Sequence, residues 1–402
     1  MTTATKRDRV LTTHVGSLVR PRELVDFLTS IDSGKSYNEV AYEAVLSQAI
    51  ATAVRQQAEA GIDIVSDGEF SKGKNWAFYI HDRLAGIERR LLTADEMTGA
   101  RRFALGGLDR EAFPDFYAQY YESIGLKNHL AFKTICNAPL RYTGQAAIAR
   151  DIGNLKAALS AGNIAEGFLP VVSPASALPD VQNEHYPDER SLLFALADAL
   201  RDEYRAVVDA GLMVQIDEGF LPYMYERLVP PMSLAQYRSW AELRIEALNR
   251  ALHGIPQERV RFHICWGSWN GPHMFDVPLK DIVDLVLKVN AGAYLFEAAN
   301  PRHEHEWRVW ENVDLPASKI LVPGLISHST NVVEHPELVA ERLLRFAKIV
   351  GRNRVMAGTD CGFAQTWFVN RVHPTIMWAK LRALSEGAQI ASDELWGRRS
   401  AA

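Results

Sequence analysis

Short apolar runs, each closing on polar residues, recur along the chain at wide intervals. The first four read LTTHVGS at 11–17, IDIVSDGE at 62–69, FLPVVSP at 168–174 and LMVQIDE at 212–218. VRFHIC at 260–265, AYLFE at 293–297, ILVPGLISH at 320–328 and RVMAGTDC at 354–361 complete the set. Runs of this length and composition predict strands, and helical patterns follow most of them. Capping chemistry marks the helix ends. Ser36 with Glu39 predicts a capping box, in which hydroxyl and carboxylate each accept a free backbone N–H. That amphipathic run continues to Ala60, with Gly61 placed for a left-handed C-terminal cap. Ser233 and Gln236 repeat the signature ahead of a run ending near His253. His335-Pro336 opens another helix with proline at its first position, and Gly351 closes it.

Strand–helix alternation argues a parallel sheet, and eight such units predict an α/β fold of the closed (β/α)8 TIM barrel type. Ser17, Glu69, Asp217, Cys265, Glu297, His328 and Cys361 all stand at or near the C-terminal ends of these runs. A barrel gathers those ends on one face, around one cavity; an open doubly wound sheet would not. A bare barrel needs about 250 residues. Most of the surplus lies at about 70–165, after the second strand. It includes a charged segment at 88–112, the aromatic FPDFYAQYYE at 113–122 and an expected hairpin at 131–144. The expectation is one barrel domain over 1–402, with this insertion walling the barrel mouth.

Composition narrows the function classes. The chain has 402 residues, 48% hydrophobic and 23% charged, with a net charge of −5. So mild a charge, without a Lys/Arg-rich run, argues against a nucleic-acid partner. No apolar stretch is long enough to span a membrane, and the N-terminus lacks a secretory pattern. Three cysteines are too few and too scattered for a disulfide framework. A cytoplasmic enzyme is the expectation, and barrels of this size often associate as homo-oligomers.

His263-Ile264-Cys265 is the sharpest local feature. Residues i and i+2 of a strand face the same way, so imidazole and thiol can approach one metal ion. The plain alternative is a buried histidine beside an inert core cysteine. Cys361 ends the last run inside Gly358-Thr359-Asp360-Cys361-Gly362, and the barrel places it across the mouth from the fifth strand. Glu297, on the neighbouring sixth strand, is the nearest carboxylate. One imidazole, two thiolates and one carboxylate make a tetrahedral set suited to Zn2+, with the carboxylate the most exchangeable member.

Seven motifs then occur in a familiar order: T-H-V-G-S at 13–17, D-G-E at 67–69, I-D-E at 216–218, H-I-C at 263–265, F-E at 296–297, S-H-S at 327–329 and D-C-G at 360–362. Together they resemble the catalytic half of the cobalamin-independent methionine synthase family. They are equally similar to its shorter relatives, zinc-dependent thiol alkyltransferases such as epoxyalkane:coenzyme M transferase. The resemblance spans about residues 10 to 370. It implies a (β/α)8 barrel with zinc held by His263, Cys265, Cys361 and Glu297. It further implies that Ser17 receives the carboxylate of a thiol substrate, that Glu69 and Asp217 hold its ammonium group, and that His328 donates or relays a proton. The bland readings are that Asp217 and Glu218 cap the following segment, that Glu69 and Ser17 are surface loop residues, and that His328 is a core histidine.

The chain also departs from the family pattern. Its third strand ends Val171-Val172-Ser173-Pro174-Ala175-Ser176, with no following tryptophan, which argues against a folate site. The loop from Trp266 to Pro278 is enlarged. This loop and residues 300–307 are expected to rim the mouth, with His303 and His305 in a solvated loop and Trp76, Trp266 and Trp269 lining a pocket. The partners expected are therefore a small-molecule thiol and an alkyl donor: a methyl compound, an epoxide or an ether. Zinc converts a thiol into thiolate while leaving sulfur nucleophilic. The alternative is a hydrolase or lyase in which zinc acidifies water to cleave an ether.

Overall fold

In the computed structural model, residues 8–73, 75–93, 106–124, 132–179 and 181–398 are described. Seven parallel strands form the main sheet, in the order β1 (Ile64–Ser66), β4 (Glu166–Val172), β6 (Met213–Glu218), β7 (Val260–Ile264), β8 (Ala293–Phe296), β9 (Ile320–Ile326) and β10 (Gly358–Thr359). They match seven of the eight predicted runs. The run at 11–17 forms no extended strand. It contributes isolated parallel bridges, Thr12 to Ala357 and Thr13 to Ile64, so it touches both edges of the sheet and curls it. Its threonines bond sideways instead, Thr12 Oγ1 to the Gly61 carbonyl at 2.7 Å and Thr13 Oγ1 to the Ile64 carbonyl at 3.0 Å. Gly16, at φ 140°, then turns the chain where any side chain would strike Pro170.

Within the curl, Val15, Ile64, Phe168, Met213, Ala293, Leu295, Ile320, Val322 and Met356 form an inner cluster separate from the larger core under the helices. Burial of such side chains stabilises the fold by about 1.5–3 kcal/mol for each large one. Arg261 also lies inside, fully buried, donating to Thr13 Oγ1 and the His14 carbonyl and packed over the Phe168 ring at 3.7 Å.

The capping box at Ser233 and Gln236 forms as predicted, and His335-Pro336 opens its helix, Pro336–Val350. The box predicted at Ser36 does not form. The helix Glu39–Glu59 starts at Glu39, and the Asn38 side chain accepts from the Ala41 N–H at 3.1 Å. Asparagine is at least as good an N-cap as serine and stands closer to the helical run.

Between β1 and β4 lie β2 (Leu84–Leu91), the helix Pro114–Ser123, β3 (Phe132–Tyr142) and the helix Gln145–Gly162, which packs against Glu39–Glu59. The hairpin expected at 131–144 is instead the single strand β3. Its antiparallel partner is β2, about fifty residues upstream, with a register shift at Ala85/Ile87. A parallel edge, β5 (Val181–Asn183), completes this second, three-stranded sheet. Part of the charged segment at 88–112 lies outside the described residues. Among the described residues, no helix is long and apolar enough to cross a membrane.

Candidate functional site

The parallel register of β6 and β7 sets Asp217 beside His263 and Glu218 beside Ile264. His263 Nδ1 lies 3.1 Å from Asp217 Oδ1, which also accepts from Gln215 Nε2 at 2.8 Å. The other ring nitrogen, Nε2, is buried and has no hydrogen-bond partner among the described residues. Cys265 leaves the end of β7 on the same face, and Cys361 arrives just past β10. One ligand atom from each of His263, Cys265 and Cys361 lies within 4.8 Å of the others.

The backbone around Cys361 is held in place by its neighbour. Asp360 Oδ1 accepts from the Ala298 and Ala299 N–H groups, both at 2.8 Å, tying the end of β10 to the segment after β8. Gly324 makes this approach possible, because a Cβ there would lie 2.3 Å from Asp360 Oδ1. The two buried thiols share charge unequally. Cys361 is pulled well below the usual thiol range by a hydrogen bond from Cys265, with His263 adding to it, while Cys265 is pushed up by the same pairing. Burial lowers His263, but Asp217 and Cys361 outweigh it and hold the imidazole up at about 10.

An orphaned buried imidazole nitrogen costs about 1–3 kcal/mol unless something meets it. Two cysteine sulfurs of mixed protonation belong to the same buried group. One nitrogen and two sulfurs in this proximity are a donor set that fits a thiophilic ion such as zinc.

Glu297, the fourth residue of the expected set, stands outside this group. Its Oε1 accepts from the Trp266 N–H at 2.9 Å and its Oε2 accepts from the Asn300 side chain. Burial pushes its carboxyl up to about 8.

Glu69 adopts a left-handed backbone, φ 60°, and is buried against Lys72 Nζ at 2.8 Å. Burial raises its carboxyl to about 7, with Lys72 opposing and Asp217 reinforcing the shift. The sequence reading did not single out Lys72 as the partner of Glu69; its position three residues past D-G-E was the available signal. Ser17 is buried against Gly362, where an added Cβ would lie 2.0 Å from Ser17 Oγ. The two acids of I-D-E divide their work. Glu218 does the capping, accepting from Ser176 Oγ at 2.6 Å and the Leu221 N–H at 2.8 Å, while Asp217 turns to His263. His328 is buried just past β9, and neither ring nitrogen has a hydrogen-bond partner among the described residues. Burial lowers it to about 4, so it is neutral at pH 7.

The rim differs from its expected form at one histidine. His305 is exposed, but His303 is buried, bonded to Asp276 Oδ2 at 3.0 Å and Glu306 Oε2 at 2.8 Å. Its ring lies tilted against Trp266, centroids 4.2 Å apart, and apolar shelter with two carboxylates outweighs solvation of the loop. Trp269 Nε1 donates to Tyr117 Oη at 3.1 Å, and the Met274 N–H donates to Asp109 at 3.0 Å, joining the enlarged loop to the segment between β1 and β4. Trp76 stacks on Phe220 at 5.8 Å. A Cβ on Gly219 would lie 3.1 Å from the Trp76 ring and 3.2 Å from Cys265 Sγ, so this aromatic stack borders the thiol pair.

The family described as cobalamin-independent synthase, catalytic domain, matches residues 179–380. A 2-hydroxypropyl-CoM lyase from Xanthobacter autotrophicus is 25% identical over 388 residues, covering 89% of this chain and 88% of its own. A methionine synthase from Saccharolobus solfataricus is 23% identical, covering 96% and 95%. Among solved structures, a B12-independent methionine synthase from Shewanella sp. W3-18-1, in complex with selenomethionine, superposes with a TM-score of 0.71. Its identity is 20%, over 97% of this chain and 99% of that one, which speaks for the fold.

Proposed function

Because the chain belongs to the cobalamin-independent synthase catalytic-domain family, we propose that it is a zinc-dependent transferase that alkylates a small thiol on a closed (β/α)8 barrel. The observation carrying this reading is the convergence of one ligand atom from each of His263, Cys265 and Cys361 to within 4.8 Å of one another, all three buried. These three residues would hold the ion, with Glu297 as the exchangeable fourth member. Bound there, zinc would supply acidification of a substrate thiol near neutral pH, a change beyond the reach of the side chains alone.

The chain's own residues do the rest. Asp217 fixes the His263 ring, and Asp217 and Glu69, the latter paired with Lys72, offer carboxyl oxygens to an ammonium group on the acceptor. Ser17 meets the acceptor's carboxylate. His328, neutral at rest, accepts the thiol proton on a ring nitrogen and returns it to the leaving oxygen or nitrogen of the alkyl donor. The donor is a methyl compound, an epoxide or an ether. The segment between β1 and β4 walls the mouth and, with Trp76 and Trp266, excludes water from the reacting sulfur.

Zinc-edge X-ray absorption on the purified protein, with and without homocysteine, cysteine and coenzyme M, tests this reading. The expected result is a resting shell with two sulfurs that gains a third with one of the thiols. An unchanged shell with all three would transfer support to hydrolysis or elimination. A protein prepared under reducing conditions without stoichiometric metal would overturn the mechanism.

A further inference from the structure

Two buried acids, Asp67 and Glu69, share one ammonium. Lys72 Nζ pairs with Glu69 Oε2 at 2.8 Å, and both side chains are buried. Asp67 is buried as deeply, yet among the described residues its carboxyl has no ion-pair partner; its Oδ1 accepts from the Glu69 N–H at 2.9 Å. Arg20, another buried cation nearby, directs its terminal N–H groups to the carbonyls of Glu69, Lys72, Ala364 and Thr366 instead. Burial, with Asp151 adding to it, raises the Asp67 carboxyl to about 6, as befits an acid short of a cation.

Asp67 and Lys72 line one small cavity together with Tyr79, Arg83, Asp151 and Glu203, and it leaves space for a water-sized group, hence for an ammonium head. Lys72 Nζ lies 4.6 Å from the centre of the Tyr79 ring, one wall of that cavity. The other two acids there are taken. Arg83 holds Asp151 at 2.6 Å and Glu203 at 3.4 Å, and the Tyr79 hydroxyl donates to Glu203 at 2.7 Å. Asp67 is the carboxylate left for Lys72.

Resting on the reading that the acceptor carries an ammonium group, we propose that Lys72 is a built-in placeholder for that group, which turns to Asp67 when the acceptor's ammonium takes Glu69. A buried carboxylate stripped of its cation is costly, so the empty site keeps an ammonium of its own. On binding, one carboxylate–ammonium pair is exchanged for another; no bond breaks and no proton moves. An acceptor without an ammonium leaves Lys72 where it is. The competition lowers the affinity for an amino thiol by the fraction of molecules in which Lys72 has let go.

Titration calorimetry of the zinc-loaded protein with homocysteine and with its des-amino counterpart, γ-mercaptobutyrate, isolates the ammonium's contribution as the ratio of the two affinities. In Lys72→Met, Glu69 has no internal competitor, and the ratio is expected to rise by about tenfold or more over wild type. In Asp67→Asn, nearly identical in shape, Lys72 loses its destination. Homocysteine should then bind about tenfold more weakly, while γ-mercaptobutyrate stays within about twofold.

A ratio that stays level or falls in Lys72→Met would make Lys72 a fixed support for Glu69 and overturn the placeholder. Unchanged homocysteine binding by Asp67→Asn, or an equal loss of both thiols, would overturn it too, and that arm stands even if Lys72→Met does not fold. Failure of the underlying reading looks different. Both thiols would bind equally well to wild type and to Lys72→Met, so that no ammonium is read at Glu69, and the placeholder would fall with it.

Discussion

His263 Nδ1 and Asp217 Oδ1 lie 3.1 Å apart, on residues that are register partners across β6 and β7. The contact commits Nδ1 and leaves Nε2 as the nitrogen available to a metal ion. A carboxylate behind a ligating imidazole also raises its basicity, so the pair acts as one donor.

Replacing Asp217 with Ala should therefore weaken zinc binding by about 10–100-fold without changing the number of sulfurs around the metal. Chelator competition gives the affinity and X-ray absorption gives the shell. Unaltered affinity would remove Asp217 from its orienting role.

Cys265→Ser should abolish stoichiometric zinc, because the remaining imidazole and thiol cannot complete a tetrahedral set. Metal analysis of the gel-filtered protein reads this directly. A variant that retains a full equivalent would exclude Cys265 as a ligand.

His328→Asn should leave zinc content intact and slow turnover by about 10²–10⁴-fold, the usual contribution of a positioned acid–base group. Single-turnover rates with a metal-loaded variant decide this. An unchanged rate would return His328 to the core-histidine reading.

His14 sets a testable pH dependence away from the metal ligands. Burial lowers its folded value to about 3, against the Gln57 hydrogen bond at 2.6 Å, while the unfolded chain titrates near 6.5. The folded state therefore binds fewer protons than the unfolded chain below pH 6.5. The neutral ring's contribution to stability is whole above that pH and is lost as pH falls towards 3. His14→Gln should remove a slope of about 1.4 kcal/mol per pH unit from the acid side of the stability profile. Urea denaturation of the two proteins at pH 7, 6 and 5 would show parallel profiles if His14 were charged in the fold.

Gly324→Ala should destabilise the protein by about 1–3 kcal/mol, since β9 would have to move off Asp360. That displacement carries Cys361 with it, so zinc affinity should fall alongside thermal stability. A stable variant with normal affinity would mean that the β9–β10 contact does not position the thiol.

Most of the architecture was legible along the chain, because a buried parallel strand requires a short apolar run and a helix end requires a capping residue. Seven of the predicted runs became strands of the main sheet. The gathering of His263 and Cys265 on one face followed from strand periodicity alone, and Cys361 followed from the closure expected of eight units. What the order of residues did not disclose was the choice of partner. Asp217 and Glu218 are adjacent acids, and only their neighbours across the sheet made one an imidazole support and the other a helix cap. His303 reads as a loop histidine until Asp276, Glu306 and Trp266 close around it. That Trp266 and Asn300 would be the hydrogen-bond partners of Glu297 was equally hidden. Backbone periodicity is a local property and survives in the sequence. Hydrogen-bond allegiance depends on which distant groups are brought within about 3 Å, and that is settled only when the chain is folded.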